Sequence, residues 1–115
     1  NIEVTIDEQD IFNVTINESL AVALLTNLLK NAFVHNIDGG HIRITVTKNS
    51  ITFRNSGVEN PLDKEHIFER FYQGTKKEGS TGLGLAIADS ICRLQHLSIR
   101  YYFEQKEHCF EISRQ

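Results

Sequence analysis

Several features that mark other classes of protein are absent from this sequence of 115 residues. It has no Met, no Trp and one Pro, and its longest apolar stretch, Leu20 to Leu25, is far too short to cross a bilayer. Since even an initiator Met is missing, we expect the chain to be a fragment of a longer protein. Function would then be divided between this fragment and the rest.

Charge and cysteine usage exclude two further classes. The net charge is −3 and there is no long basic run, which argues against a nucleic-acid-binding surface. Cys92 and Cys109 lack a CxxC partner and a His spacing suited to zinc, so we expect buried thiols in a reducing cytoplasm. Hydrophobic residues make up 40% and charged residues 23%, which is typical of one globular domain.

Alternation of apolar and polar residues predicts strands in three pairs. They cover residues 2–6 and 12–16, 42–46 and 51–53, and 97–103 and 108–112. Helical spacing predicts a first helix from the N-cap Asn17 to about His35, and a second that begins near Gly82. Residues 56–80 break both patterns, which predicts a long functional loop with one brief helix. This order predicts an α/β (α+β) two-layer sandwich, with a mixed, mostly antiparallel sheet and helices on one face.

The first helix has a polar stripe. Asn27 and Asn31 lie four residues apart and His35 continues the line, so the three side chains share one face. One interpretation is a solvated helix face. The other is a set of neutral amide oxygens for Mg²⁺, which takes few protein ligands and completes its shell with water and nucleotide phosphates.

A glycine-rich turn, Gly79 to Gly84, directly precedes the second helix. It is either a tight junction between loop and helix or a phosphate site, where the backbone and the helix N-terminus meet the anion. A P-loop is excluded because Ser80 stands where its lysine must be, and a Rossmann turn because the glycines run GxxGxG.

A second short motif, Asn55-Ser56-Gly57, ends a predicted strand. As a tripeptide it is typical of a turn. Its position also allows the Asn55 side-chain amide to pair with the edge of a nucleotide base.

Four segments together resemble the sequence boxes of histidine kinases, in the order and at spacings compatible with that family. They are LLTNLLKNAFVHN (Leu24 to Asn36) for the N box, NSG (Asn55 to Gly57) for the first glycine box, IFERFYQG (Ile67 to Gly74) for the F box, and GSTGLGLAIADSIC (Gly79 to Cys92) for the second glycine box. The resemblance implies the GHKL (Bergerat) fold, shared with DNA gyrase. Residues 1–115 would form a single ATP-binding catalytic domain, the C-terminal fragment of a sensor histidine kinase, with residues 58–81 as its ATP lid.

The same resemblance implies a site for ATP and Mg²⁺. Asn31 would be the magnesium ligand, with Asn27 and His35 beside the phosphates and Asn55 against adenine. Catalytic roles would fall to Asn27, Asn31 and Arg70, the last touching phosphate or the partner helix. The other nucleotide-binding residues would be Gly57, Phe68, Gly79, Ser80, Thr81, Gly82, Leu83 and Gly84.

Three positions depart from the family pattern. Asn55 replaces the usual aspartate, which keeps an acceptor but removes the charge, so we expect weaker or less selective adenine binding. Glu59 replaces the second glycine of its box, and Val34 stands where a phosphate-contacting lysine is common. Lysines that could supply the missing cation are Lys30, Lys76 and Lys77.

Asn27 decides between reactions. Gyrase-type ATPases carry a glutamate at this position as the general base for water, and an asparagine cannot accept that proton. We therefore expect another domain to bring the acceptor of the γ-phosphate. The resemblance to histidine kinases implies that this acceptor is a histidine on a separate dimerisation domain of the same protein, which would serve a response regulator. The alternatives are a degenerate nucleotide-sensing module and, less favoured because of Asn27, a stand-alone ATPase.

The expected location is cytoplasmic, with no membrane contact by this fragment and a parent protein that could be anchored in the inner membrane.

Overall fold

Five strands form one mixed sheet in the computed structural model, which describes residues 1–72 and 82–115. They are β1 (Glu3–Glu8), β2 (His41–Val46), β3 (Ser50–Asn55), β4 (Leu97–Glu104) and β5 (Glu107–Arg114). Their spatial order is β1-β2-β3-β5-β4. β1 runs parallel to β2, and the other three pairs are antiparallel.

The alternation of side chains gives the sheet one apolar and one polar face. Ile44, Phe53, Phe110 and Tyr101 stand in register across β2, β3, β5 and β4, and the last three of them are buried. On the opposite face Glu107, itself buried, accepts hydrogen bonds from His41 and Arg43 at 2.7 and 2.8 Å. Burial opposes ionisation of Glu107, but these two partners outweigh it and hold its pKa below the usual value.

Two helices cover the apolar face. α1 (Glu18–Val34) begins as predicted after Asn17, whose side chain accepts the Leu20 N–H at 3.1 Å. It packs on β3, while α2 (Gly84–Leu94) packs on β4 and on α1. The predicted two-layer sandwich with helices on one face is therefore confirmed. Within the described residues no helix is both long and apolar enough to span a membrane.

Two local predictions are wrong, and the start of α2, predicted near Gly82, lies two residues later. Residues 12–16 form no strand: the Gln9 and Asp10 N–H groups both bond to the Val46 carbonyl, where β2 ends, so the chain leaves the sheet there. The described part of the 56–80 loop contains turns instead of a brief helix. One of these turns is closed by a hydrogen bond from the Ile67 N–H to the Asp63 carbonyl. α2 starts at Gly84 because Gly82 has φ +75°, outside helical geometry.

The two cysteines lie in the core, as expected. Cys92 is 1% exposed and Cys109 is 0% exposed, and neither forms a disulfide. Burial raises the pKa of each thiol to about 11. Both thiols are therefore protonated and chemically inert at neutral pH.

Candidate functional site

The polar stripe of α1 faces a cavity. The cavity has a volume of about 200 Å³ and lies between the C-terminal half of α1 and the N-terminal end of α2. It is lined by Asn27, Lys30, Asn31, Val34, His35, Tyr72, Gly82, Leu83, Gly84, Leu85 and Ile87. Six of the residues predicted to form the site thus surround one space, although they come from segments about 50 residues apart in the chain.

The Asn27 and Asn31 side chains both line this cavity but differ in their hydrogen bonds. The Asn27 amide nitrogen donates to the Ala23 carbonyl at 2.8 Å, one turn earlier on the helix. A Cβ on Gly84 would lie 3.2 Å from the Asn27 amide oxygen, so the absence of a side chain at residue 84 lets α2 approach α1 here. The Asn31 side-chain amide makes no hydrogen bond with any described residue. Its oxygen can therefore serve a hard cation without breaking a contact within the described chain.

The N-terminal end of α2 borders the same cavity, which Gly84 and Leu85 help to line. No side chain caps this helix, and its first turn contains no acidic residue. The positive end of the helix dipole and the first-turn N–H groups are thus uncompensated by side chains of the described residues. This arrangement suits an anion.

Gly82 joins the two chain ends that border residues 73–81. Its carbonyl accepts the Phe71 N–H at 2.7 Å, and both residues have positive φ, +75° and +64°. A Cβ on Gly82 would lie 2.7 Å from the Phe71 Cα, which leaves no room for any side chain. The two chain ends that border residues 73–81, a part of the predicted lid of residues 58–81, therefore meet at one point of the fold. The lid residues Gly79, Ser80 and Thr81 lie outside the described part of the chain.

Asn55 ends β3 and is almost completely buried, with 1% of its surface exposed. Its amide nitrogen donates to the Ser56 carbonyl at 2.8 Å, while its Oδ1 atom is buried without a hydrogen-bond partner in the described structure. The Ser56 hydroxyl donates to the Asn36 side chain at 2.6 Å and accepts the His41 N–H at 2.8 Å. The loop after β3 is thus fixed to the residues that follow α1.

Gly57 brings this loop to the end of α1. A Cβ at Gly57 would lie 2.8 Å from the carbonyl oxygen of His35, a residue that lines the cavity. The close approach requires glycine. The NSG motif and the N box, distant in sequence, meet at this contact.

Two predicted lid residues, Phe68 and Arg70, do not line the described cavity. Phe68 packs edge-on against Phe110, with ring centroids 6.2 Å apart. Arg70 is exposed and its guanidinium lies over the Phe71 ring, 5.2 Å from the centroid. Their roles toward a nucleotide stay predictions, as do those of the other site residues.

Sequence reasoning missed His108 and Tyr101. His108 is 4% exposed, and its ring nitrogens lie 2.7 Å from the Tyr101 hydroxyl and 2.7 Å from the Val58 carbonyl oxygen. The sequence did show a histidine at an inward-facing position of a predicted strand. That pattern is equally typical of a core residue and of a functional residue. Its contacts with the loop are visible only in the fold.

The mixed sheet with two helices on one face, and the cavity between the helix ends, match the architecture that the resemblance to GHKL ATP-binding domains implies. A family model described as "Histidine kinase-, DNA gyrase B-, and HSP90-like ATPase" matches residues 16–113. The chain belongs to this family, and the predicted resemblance to histidine kinase ATP-binding domains is confirmed.

Curated relatives and solved structures agree with this assignment. The sensor histidine kinase RppB of Synechocystis sp. is 43% identical over an alignment of 84 residues, and the match covers 65% of this chain and 18% of that protein. The heme sensor protein HssS of Staphylococcus aureus is 39% identical over an alignment of 90 residues, and the match covers 74% of this chain and 20% of that protein. The chain thus spans about a fifth of the length of these relatives.

Among solved structures, the catalytic domain of histidine kinase ThkA aligns with a TM-score of 0.80 and 25% identity, over 96% of this chain and 76% of that one. The mycobacterial sensor histidine kinase MprB aligns with a TM-score of 0.81 over 98% and 84%. At 19% identity the second likeness concerns the fold alone.

Proposed function

We propose that this domain binds ATP with Mg²⁺ and transfers the γ-phosphate to a histidine on a separate dimerisation domain of the same protein. The observation that carries the proposal is the Asn55 Oδ1 atom, a buried acceptor without a partner in the described structure. Leaving such an atom unpaired costs about 1–3 kcal/mol. An amino group that donates to it, such as the exocyclic amine of adenine, removes that cost.

The orientation of the Asn55 amide makes this contact selective. The Ser56 carbonyl can only accept a hydrogen bond, so the Asn55 nitrogen must face it and the oxygen must face away. Asn55 therefore presents an acceptor only. Guanine has a carbonyl where adenine has its amine, and two acceptors facing each other repel. ATP is favoured over GTP.

The phosphate part of the nucleotide belongs, in this proposal, beside α1 and the start of α2. Asn31 offers a neutral oxygen for Mg²⁺, which when bound would neutralise charge on the phosphates. Lys30 is an exposed cation at the rim of the cavity, and the uncapped end of α2 stabilises negative charge. Lys30 can compensate for Val34, the apolar residue that lines the cavity where a lysine is common.

The reaction follows from Asn27. Its side chain cannot act as a general base, and its nitrogen is already bonded to the Ala23 carbonyl. Water is then a poor nucleophile in this site, and the acceptor must come from outside. None of the five histidines here precedes an acidic residue at the start of a long helix, so the phosphoacceptor lies on another domain. That domain would pass the phosphate to a response regulator.

A nucleotide-sensing module without transfer is the second candidate. It is favoured by Val34 on the cavity wall and by the exposed Glu59, which replaces a glycine of the first glycine box. Both changes would weaken phosphate or base contacts without altering the fold.

Calorimetric titration of the chain with ATP and with GTP, each with and without Mg²⁺, tests the proposal. We expect magnesium-dependent binding of ATP and weaker binding of GTP. Absence of ATP binding at millimolar nucleotide would overturn the proposed function.

Transfer is tested by adding a separate acceptor domain and γ-labelled ATP, and by measuring acid-labile phosphate on that domain. Binding without transfer would favour the nucleotide-sensing module. Steady release of phosphate without any acceptor would instead favour a stand-alone ATPase.

A further inference from the structure

The imidazole of His108 lies at the centre of the loop that follows β3. It projects from β5 onto the apolar face of the sheet and pairs in register with Asn55 on β3. Directly opposed residues of antiparallel strands hold their Cβ atoms about 4.5–5.5 Å apart, so the ring stands beside the Asn55 amide. A Cβ on Gly57 would lie 3.1 Å from the His108 Cδ2 atom. The chain from Asn55 to Gly57 therefore folds closely around this ring.

The hydrogen bonds of His108 fix its tautomer. A carbonyl oxygen only accepts, so Nε2 carries the proton and donates to Val58 at 2.7 Å. In the neutral ring Nδ1 is then an acceptor, and the Tyr101 hydroxyl donates to it at 2.7 Å. The Tyr101 oxygen in turn accepts the Leu62 N–H at 3.0 Å. Three hydrogen bonds thus run in one direction, from Leu62 through Tyr101 and His108 to Val58.

These hydrogen bonds attach both ends of the segment from Val58 to Leu62 to the sheet. Val58 is the first residue after the NSG motif and the first of the predicted lid, and Leu62 precedes the turns that lead to Phe71 within that lid. Val58 is exposed, so its backbone depends on this hydrogen bond more than on packing. Burial lowers the pKa of His108, and the bond to Val58 opposes that shift without cancelling it, which is consistent with a neutral ring at neutral pH.

We propose that His108, with Tyr101, is a positioning residue of the nucleotide site, which holds residues 56–62 so that the Asn55 acceptor keeps its place and direction. This role rests on the proposed function, since the acceptor matters only if a base is bound. His108 does not touch the nucleotide in this proposal. It acts through the Val58 carbonyl and, by way of Tyr101, through the Leu62 amide.

Two conservative variants test the hydrogen bonds of the two His108 ring nitrogens separately. His108→Gln places an amide nitrogen near the Nε2 position and can still donate to Val58. His108→Asn places an amide oxygen near the Nδ1 position and can still accept from Tyr101, but it cannot reach Val58. Ile112→Val, a buried substitution on the same face of β5, is the matched control for lost stability alone.

We expect ATP affinity to fall about tenfold in His108→Asn and less than about threefold in His108→Gln, the difference being one hydrogen bond. The preference for ATP over GTP should decrease only in His108→Asn, and Ile112→Val should leave it unchanged. Equal effects in the two His108 variants, or the same loss in Ile112→Val, would overturn the positioning role.

A second measurement needs no nucleotide and separates this inference from the proposed function. Nitrogen NMR of the His108 ring should show the Nε2-protonated tautomer, and the Leu62 amide should exchange slowly with solvent. Tyr101→Phe should speed Leu62 exchange by about tenfold, since the acceptor is removed. The Nδ1-protonated tautomer, or unchanged exchange in Tyr101→Phe, would overturn the inference even if ATP binds. If the wild-type chain fails to bind ATP while both signatures are present, the proposed function fails and the hydrogen-bond chain stands as a purely structural device.

Discussion

The two ends of the proposed nucleotide site are built in different ways. The base end, defined here as Asn55 to Gly57 with His108, is buried and held by hydrogen bonds to the sheet and to the end of α1. The phosphate end, defined as Asn27 and Asn31 with Gly82 to Gly84, borders an open cavity and is only partly buried. One end is thus fixed by the fold, and the other offers polar groups that a ligand can engage.

This difference follows from what each end would recognise. A base is distinguished by the direction of a single hydrogen bond, which requires an acceptor that cannot rotate. Phosphates and Mg²⁺ are attracted by charge and by dipoles, which tolerate looser geometry. Substitutions of the polar side chains at the phosphate end, those of Asn27 and Asn31, should therefore change nucleotide affinity with little effect on stability. Those at the base end should change stability and selectivity together.

The largest effect is expected for Asn31→Ala. Removing the amide oxygen should reduce magnesium-dependent ATP affinity by about 100-fold, the upper range for groups that support a metal site. The free energy of unfolding should not decrease, because the side chain bonds to no described residue and alanine favours a helix. Calorimetry with and without Mg²⁺ measures the first quantity and denaturant unfolding the second. Thr26→Ala, at an exposed position of the same helix, is the control, and magnesium-dependent binding preserved in Asn31→Ala would refute the ligand role.

Gly82→Ala should show how strongly the fold fixes the hinge of the phosphate end. At φ +75° an alanine is strained, and its Cβ would also collide with the Phe71 backbone, so we expect a loss of about 2 kcal/mol in the free energy of unfolding or of local opening. Gly39→Ala is a matched control, because Gly39 has the same φ of +75° but no atom within 4 Å of its Cβ position. For Gly39→Ala we expect a smaller loss in the free energy of unfolding and an unchanged ATP affinity. Equal behaviour of both variants would mean that the contact with Phe71 is unimportant.

The difference between the base end and the phosphate end also explains which features could be predicted from the sequence. The start of α1 was predictable because the Asn17 cap and the helical spacing act within a few residues. Residues 12–16 were assigned to a strand because alternation reports which side chains face the core, and it cannot report whether a neighbouring strand exists to pair with. His108 was missed because its partner Val58 is 50 residues away in the chain. The predicted residues that line the cavity thus lie within local motifs, whereas the contact between His108 and Val58 at the base end is made only by the fold.

Asn55→Asp tests the base end. The charged carboxylate should accept more strongly from adenine and raise ATP affinity by about tenfold. It cannot donate to the Ser56 carbonyl, however, so the carboxylate would face another acceptor across 2.8 Å in a site that is 1% exposed. We therefore expect the nucleotide-free chain to lose about 1 kcal/mol or more of stability. Calorimetry and denaturant unfolding of the same preparation measure both. Unchanged affinity would mean that residue 55 does not read the base.

The smallest effect concerns pH. Burial lowers the pKa of His108 below its ordinary value of 6.5, and the bond to Val58 only partly opposes this shift. The unfolded chain then binds more protons than the folded one between the lowered pKa and 6.5, so stability must rise with pH across that window. The contribution of the neutral ring is complete above pH 6.5 and is lost as the pH falls through the folded-state pKa. Its slope cannot exceed about 1.4 kcal/mol per pH unit.

The expected pH dependence of stability can be assigned to His108 by comparing the wild-type chain with His108→Gln. The groups that contact the ring are uncharged at these pH values: the Tyr101 phenol, the Phe103 ring and the Val58 carbonyl. Hydrogen bonding to Asp63 raises the pKa of the exposed His66, whose contribution has the opposite sign and is lost as pH rises. Because His66 is the same in both chains, it cancels in the difference. Denaturant unfolding between about pH 5 and pH 8 should therefore show the wild type losing stability on acidification faster than the variant. Parallel curves would mean that His108 is not held neutral, and the base end would then lack the fixed geometry that distinguishes it from the phosphate end.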